Sequence, residues 1–252
     1  MLKKFMEKLK GKKAYEITQD DIDQLNKLSQ AELYEIAKEW DAPETLRCAA
    51  VERITDIDVI LELSYNRVLS ETCEKLLDEV TNQKKLIHIA KNAFHKIGIN
   101  AFNKITNPKA IEDIALGKGV ESVTGSKVRT LAIQQMSDQK VLAKIALNDE
   151  HVYFREEAVA LLTDQQALYE VALKQRGSVL NDQSDIDVRC DAIKRINDKN
   201  LLNRIIKGGD KLILRWRKDY EHYMTHQPPS EEGYVDLREV AKERLAEIEA
   251  EQ

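Results

Sequence analysis

His222 and His226 stand four residues apart, with Asp219 three residues before the first, so on a helix a carboxylate and two imidazoles share one face. That spacing can grip a metal ion. The site lacks its usual completion, because there is no His-Glu-x-x-His run and no further ligand is evident, so surface histidines account for the pair and no metal is expected. His88, His95 and His151 have no partners at a spacing suited to proton transfer. Cys48, Cys73 and Cys190 are odd in number and form no Cys-x-x-Cys. They read as small, half-buried thiols of a reducing compartment. Gly117-Lys118-Gly119 is the nearest approach to a phosphate loop, but no Gly-x-x-x-x-Gly-Lys occurs and no strand leads into it. Serine-hydrolase and dinucleotide-binding signatures are also missing. Neither a cofactor nor catalysis is expected.

Residues 207–235 concentrate the side-chain types that anchor protein interfaces. They run Lys-Gly-Gly-Asp, then Leu212-Ile213-Leu214-Arg215-Trp216-Arg217-Lys218, then Tyr220, His222, Tyr223 and His226 ahead of Pro228-Pro229-Ser230. One helix from about Lys211 to His226, stopped by the prolines, is predicted. Arg215, Trp216, Arg217, Tyr220, His222 and Tyr223 are the candidate contacts with a protein partner. The competing reading makes Trp216, Tyr220 and Tyr223 the glue that fastens the extra helix to its neighbours.

What must position this insertion is a repeat. Six times an apolar residue is followed by Thr, Ser or Asn and then by Asp or Asn: Ile54-Thr55-Asp56, Val80-Thr81-Asn82, Ile105-Thr106-Asn107, Met136-Ser137-Asp138, Leu162-Thr163-Asp164 and Ile196-Asn197-Asp198. Successive copies lie 26, 25, 31, 26 and 34 residues apart, the mark of a repeat array. Each unit holds two helices. One starts at Arg47, Arg129, Arg155 or Arg189 and carries Ala three residues on. The other follows the Asp or Asn and carries runs such as Leu86/Ile89/Ala90 and Leu142/Ile145/Ala146, the one-face spacing of a helix. Asp56, Asn82, Asn107, Asp138, Asp164 and Asp198 are placed to cap the helix that follows, each cap stabilising by about 1 kcal/mol. Pro108 behind Asn107 suits a first helical position. Thr18-x-x-Asp21 and Ser29-x-x-Glu32 have capping-box spacing and mark an atypical terminal unit. The capped turn keeps its length, whereas the other loop varies: six residues between Ala90 and Ile97, twelve between Ala115 and Val128, fifteen between Ala172 and Val188, thirty between Ile206 and Leu237. All these loops emerge along one edge, where repeat arrays often bind.

The stretch Val128-Arg129-x-x-Ala132-x-x-x-Met136, with an Asp six residues before the Arg in other copies, resembles the short bacterial HEAT repeats over about residues 29–248. The resemblance implies an all-α fold, an α-solenoid of helical hairpins wound as a right-handed superhelix with a single layer of paired helices. It also implies a ladder in which a loop Asp and an Arg pair between units. Asp41/Arg47 and Asp149/Arg155 have that spacing, Glu232/Arg238 is a variant, Arg129 and Arg189 hold the Arg position, and Cys73 and Gly98 interrupt it. The function implied is a non-enzymatic scaffold or adaptor that binds a protein partner through the solenoid face, the variable-loop edge and residues 207–226. The alternatives within the resemblance are a HEAT-like DNA-binding protein or alkylpurine DNA glycosylase-like enzyme, and a bilin lyase-like protein that handles a tetrapyrrole.

With a net charge of −5 the chain is not built as a nucleic-acid binder. The outward positions of the Arg-bearing helices, Glu52, Asp78, Asn103, Gln134, Ala160 and Lys194, lack the bases that a phosphate-tracking groove needs. Only nine Gly and four Pro interrupt a chain that is one-third charged, which favours helix throughout. Residues 1–17 form a separate basic segment, with Lys3, Lys4, Lys8, Lys10, Lys12 and Lys13 set against Leu2, Phe5, Met6 and Leu9 at helical spacing. It is expected to pack on the end of the array, with peripheral contact to an anionic membrane as the alternative. Residues 18–252 are the array, carrying the insertion at 207–235. No run approaches the ~20 apolar residues of a membrane span, no secretory signal precedes the array, and a cytoplasmic location is expected.

Overall fold

The computed structural model describes residues 17–93, 95–120, 125–174, 183–209, 212–217 and 232–251 together with Phe5 and Glu7, and at 95, 183, 184, 215–217 and 232 the backbone alone. Most of this is helix. The order is α1 (Gln19–Gln24), α2 (Gln30–Lys38), α3 (Glu44–Val51), α4 (Ile57–Leu63), α5 (Ser70–Asp78), α6 (Gln83–Asn92), α7 (His95–Asn103) and α8 (Pro108–Ala115). It continues with α9 (Ser126–Gln134), α10 (Gln139–Asn148), α11 (Val152–Leu161), α12 (Gln165–Leu173), α13 (Gln183–Lys194), α14 (Lys199–Ile206), β1 (Ile213–Arg217), β2 (Glu232–Asp236) and α15 (Leu237–Ala250). No helix among the described residues is long and apolar enough to cross a membrane.

Two compact units divide the chain, Met1–Arg129 and Thr130–Gln252. Within the first, α2 packs on α3, α4 on α5 and α6 on α7, while α2, α4 and α6 form one row and α3, α5 and α7 another. The second repeats the scheme, with α10, α12 and α14 in one row and α11, α13 and α15 in the other. Contact with the next helix and the next but one is the packing of a helical repeat. Helices of eight to ten residues are marginal alone, so each depends on this stacking.

Local chemistry explains the boundaries. Asp56 accepts from the Asp58 N–H, Asn82 from Lys84 and Lys85, Asn107 from Lys109 and Ala110, Asp138 from Lys140, Asp164 from Ala167, and Asp198 from Asn200 and Leu201. Each satisfies N–H groups that a helix start leaves without partners. Thr18 and Ser29 close full capping boxes. In all six phrases the apolar residue donates its N–H to the carbonyl three residues back, on Val51, Leu77, Phe102, Ile133, Val159 and Ile193. That tight turn ends the helix and points the phrase toward the next cap. The Ala column (Ala50, Ala101, Ala132, Ala158, Ala192) is buried and lets helices approach closely. One boundary differs from expectation: α3, α9, α11 and α13 begin at Glu44, Ser126, Val152 and Gln183, so each column arginine lies a turn or more inside its helix.

The helix predicted from Lys211 to His226 does not form over its described part, residues 212–217. Ile213–Arg217 is a strand, paired antiparallel to Glu232–Asp236 with Ile213 opposite Asp236, Arg215 opposite Tyr234 and Arg217 opposite Glu232. Leu212 and Leu214 are buried and Ile213 between them is exposed, a period of two. A short apolar run does not distinguish helix from strand by periodicity, and here Ile, Trp, Tyr and Val tip it toward strand. A two-stranded ribbon is marginal in isolation; β1 rests on α13 and α15.

Candidate interaction surface

The column arginines are buried, and three use Nε alike. Arg47 donates to the Ala37 carbonyl at 2.9 Å, Arg129 to Ala115 at 3.1 Å and Arg189 to Ala172 at 2.8 Å. Each acceptor is the alanine near the end of the preceding helix, where carbonyls lack intrahelical donors and a cation meets the negative end of the dipole. The expected Asp41–Arg47 pair does not form. Asp41 lies exposed on its turn while Arg47 folds beneath it onto the Ala37 carbonyl. Arg155 is held differently: Nη1 donates to the carbonyls of Asp149 and Glu150, and Nη2 donates to the Asp185 carboxylate at 3.0 Å. Asp149 thus meets Arg155 through its backbone, and its carboxylate accepts from the His151 N–H. Asp185 also lies near Arg189, whose guanidinium burial pushes down and Asp185 pushes back up. Arg238 binds the Asp236 carboxylate, two residues before it; the side chain of Glu232, its expected partner, lies outside the described residues.

Where the arginine is missing the packing closes differently. A Cβ on Gly98 would lie 3.1 Å from the Ala93 carbonyl oxygen and 3.4 Å from that of Ala90, so the α7 backbone itself covers the end of α6. Cys73 is buried, and desolvation, with Cys48 nearby, pushes its thiol up to about 12; such a thiol is inert. All three cysteines are free. Gly117 ends α8 at φ +76°, with Gly117 N–H donating to Ile114 and Lys118 N–H to Asp113, a Schellman end rather than a phosphate cradle. A Cβ there would lie 2.9 Å from the Arg129 guanidinium carbon. Gly117→Ala is therefore expected to destabilise by about 1–2 kcal/mol through positive φ alone, more if Arg129 is displaced, measurable by urea unfolding.

The two edges of each unit differ in what they leave open. Along the capped-turn edge a glutamine at a helix start reaches the next phrase. Gln30 accepts from the Thr55 N–H at 2.8 Å, Gln83 from Thr106 at 2.9 Å, Gln139 from Thr163 at 2.6 Å and Gln165 from Asn197 at 2.5 Å. A basic residue preceding or reaching the phrase adds a second tie: Lys104 Nζ donates to Asp78, Arg195 to the Leu162 carbonyl, and Arg244 to Ile196 and Asn197. Sequence reasoning missed this glutamine column, although Gln at the first helical position of α2, α6, α10 and α12 was the signal.

The opposite edge of each unit is where large apolar side chains stand in solvent. Trp40 is 80% exposed between α2 and α3, and Tyr65 is 57% exposed with Val68 between α4 and α5. Tyr153 opens α11 at 49%, and Ile213 and Tyr234, the latter at 68%, belong to the ribbon that replaces the last variable loop. On the ribbon, positions 213, 215 and 217 share a face with 232, 234 and 236, whereas 216 shares the face of buried Leu214. Arg215, Trp216 and Arg217 are thus placed by strand register; Tyr220, His222, Tyr223 and His226 lie outside the described residues. On the α11–α13 row, burial together with Asp187 and Asp191 pushes the Glu156 carboxyl above the ordinary range. Among the described residues no cluster of three or more His, Cys, Asp or Glu side chains could hold a metal. Phe5, from the apolar face of the N-terminal segment, is buried. No protein-family model matches the chain, and neither the curated proteins nor the solved structures contain a significant match.

Proposed function

We propose that this protein is a non-enzymatic α-solenoid of HEAT-like repeats that captures a protein partner along its variable-loop edge and the 207–235 insertion. One observation carries the reading: every exposed large apolar side chain among the described residues lies on a variable loop, in the helical turn that follows one, or in the ribbon. The capped-turn edge, by contrast, spends its polar groups on its own neighbours. Aromatic side chains left in water are the usual anchors of interfaces. The acidic side chains of Glu156, Asp187 and Asp191, with a net charge of −5 for the chain, disfavour the DNA-binding alternative, since phosphates would meet like charge. A cytoplasmic location fits such an adaptor.

The test is capture from the native host by chain carrying Ile213→Ser with Tyr234→Ala. Capture should be lost while the melting temperature holds, because both side chains face solvent. Intact capture, or a fall of many degrees in melting temperature, would remove the ribbon face from the interface.

A further inference from the structure

Trp40, the most exposed large apolar side chain described, has carboxylates on both sides in sequence: Glu39, Asp41 and Glu44. Among the described residues no cation pairs with Asp41 or Glu44, and Glu39 reaches only the Asp41 N–H at 3.5 Å. Other carboxylates of the unit are paired. Glu71, Glu74, Asp78, Glu112 and Asp113 each hold a lysine. The nearby Lys38 is occupied on the Tyr34 ring at 4.5 Å. The next loop of the same edge adds Tyr65 and Val68, with Arg67 the one exposed cation in that loop.

An indole face attracts cations through its quadrupole, and unpaired carboxylates beside it reinforce the attraction. We propose that the loops bearing Trp40 and Tyr65 receive a lysine- or arginine-rich segment of a partner protein, one cationic side chain lying on the Trp40 ring while its neighbours pair with Asp41 and Glu44. This rests on the scaffold reading and states the chemistry of its partner. Charge complementarity selects the occupant, because an acidic or phosphorylated segment would meet three carboxylates within four residues of Trp40. Arg67 accommodates an apolar or acidic residue at the far end of the segment.

The test is a fluorescence-anisotropy titration of the whole chain against a short labelled peptide of lysine, arginine and glycine, with its glutamate counterpart as control. The basic peptide should bind saturably and the acidic one should not. Trp40→Ala should weaken binding by about thirtyfold or more, the hot-spot threshold, with unchanged thermal unfolding. Asp41→Asn with Glu44→Gln should weaken it and flatten its dependence on salt. No binding of the basic peptide, equal binding of the acidic one, or equal affinity in Trp40→Ala overturns the proposal. If Trp40→Ala still captures the native partner and the ribbon variant does not, this inference fails and the scaffold reading stands. If neither variant affects capture, the scaffold edge itself has been misplaced.

Discussion

Replacing Arg155 with methionine is expected to lower the unfolding free energy by about 3–5 kcal/mol, the usual result of removing one partner from a buried ion pair. Arg155 and Asp185 are both nearly inaccessible, and their 3.0 Å bond joins helices α11 and α13. Without Arg155 the Asp185 carboxylate loses its guanidinium partner, and the Asp149 and Glu150 carbonyls lose their donor. The remedy is as diagnostic as the lesion. Arg189 keeps two buried terminal nitrogens without partners, and Arg155 an unpartnered Nε, so the charged group carries its own desolvation cost. Replacing all three residues with apolar side chains of similar volume should recover most of the lost stability, as an intact apolar contact substitutes for a paired one. Chemical denaturation of the single and triple variants measures both. A single-variant loss below about 1 kcal/mol would mean that the contact behaves as a surface pair.

Phe102→Ala is expected to cost about 3–5 kcal/mol, the range for emptying a buried aromatic site. The residue following the Ala column is buried throughout as Val51, Ile133, Val159 and Ile193; Phe102 is its largest member and is wholly buried. It lies one turn after Gly98 on α7, where the arginine of other copies is missing. Phe102→Leu should cost much less, because it keeps most of the apolar area. Equal losses for the two variants would show that ring shape rather than volume matters there.

Much of this arrangement is legible in the amino-acid sequence where its cause is local. A cap reaches two or three residues along the chain, so Asp56 or Asn107 declares itself by type and spacing alone. The alanine and leucine columns are legible for the same reason, since one helical face repeats every three or four residues. The arginine contacts are not. Arg47, Arg129 and Arg189 bind backbone carbonyls, which every residue possesses, so no partner type marks the acceptor. The resemblance to HEAT repeats points instead to Asp41, which stays in solvent. Asp185 sits thirty residues from Arg155 beyond a variable loop, a separation the repeat spacing does not encode. The ribbon was hidden by ambiguity: Leu-Ile-Leu-Arg-Trp-Arg fits the face of a helix or the alternation of a strand, and pairing with Glu232–Asp236 across a long connection decides it. Of the candidate contacts, the insertion and the loop edge were visible as irregularities of length. Trp40 and Tyr65 were not singled out, because exposure is set by how the hairpins stack.

Site-specific photo-crosslinking in the native host tests the interaction edge most directly. A crosslinking residue is placed singly at Tyr65 and Tyr234 on the variable-loop edge, and at Thr106 and Thr163 on the capped-turn edge. The account predicts a protein adduct from Tyr65, Tyr234 or both and none from Thr106 or Thr163, whose N–H groups are already engaged by Gln83 and Gln139. Adducts confined to Thr106 and Thr163, with none at the aromatic positions, would contradict it.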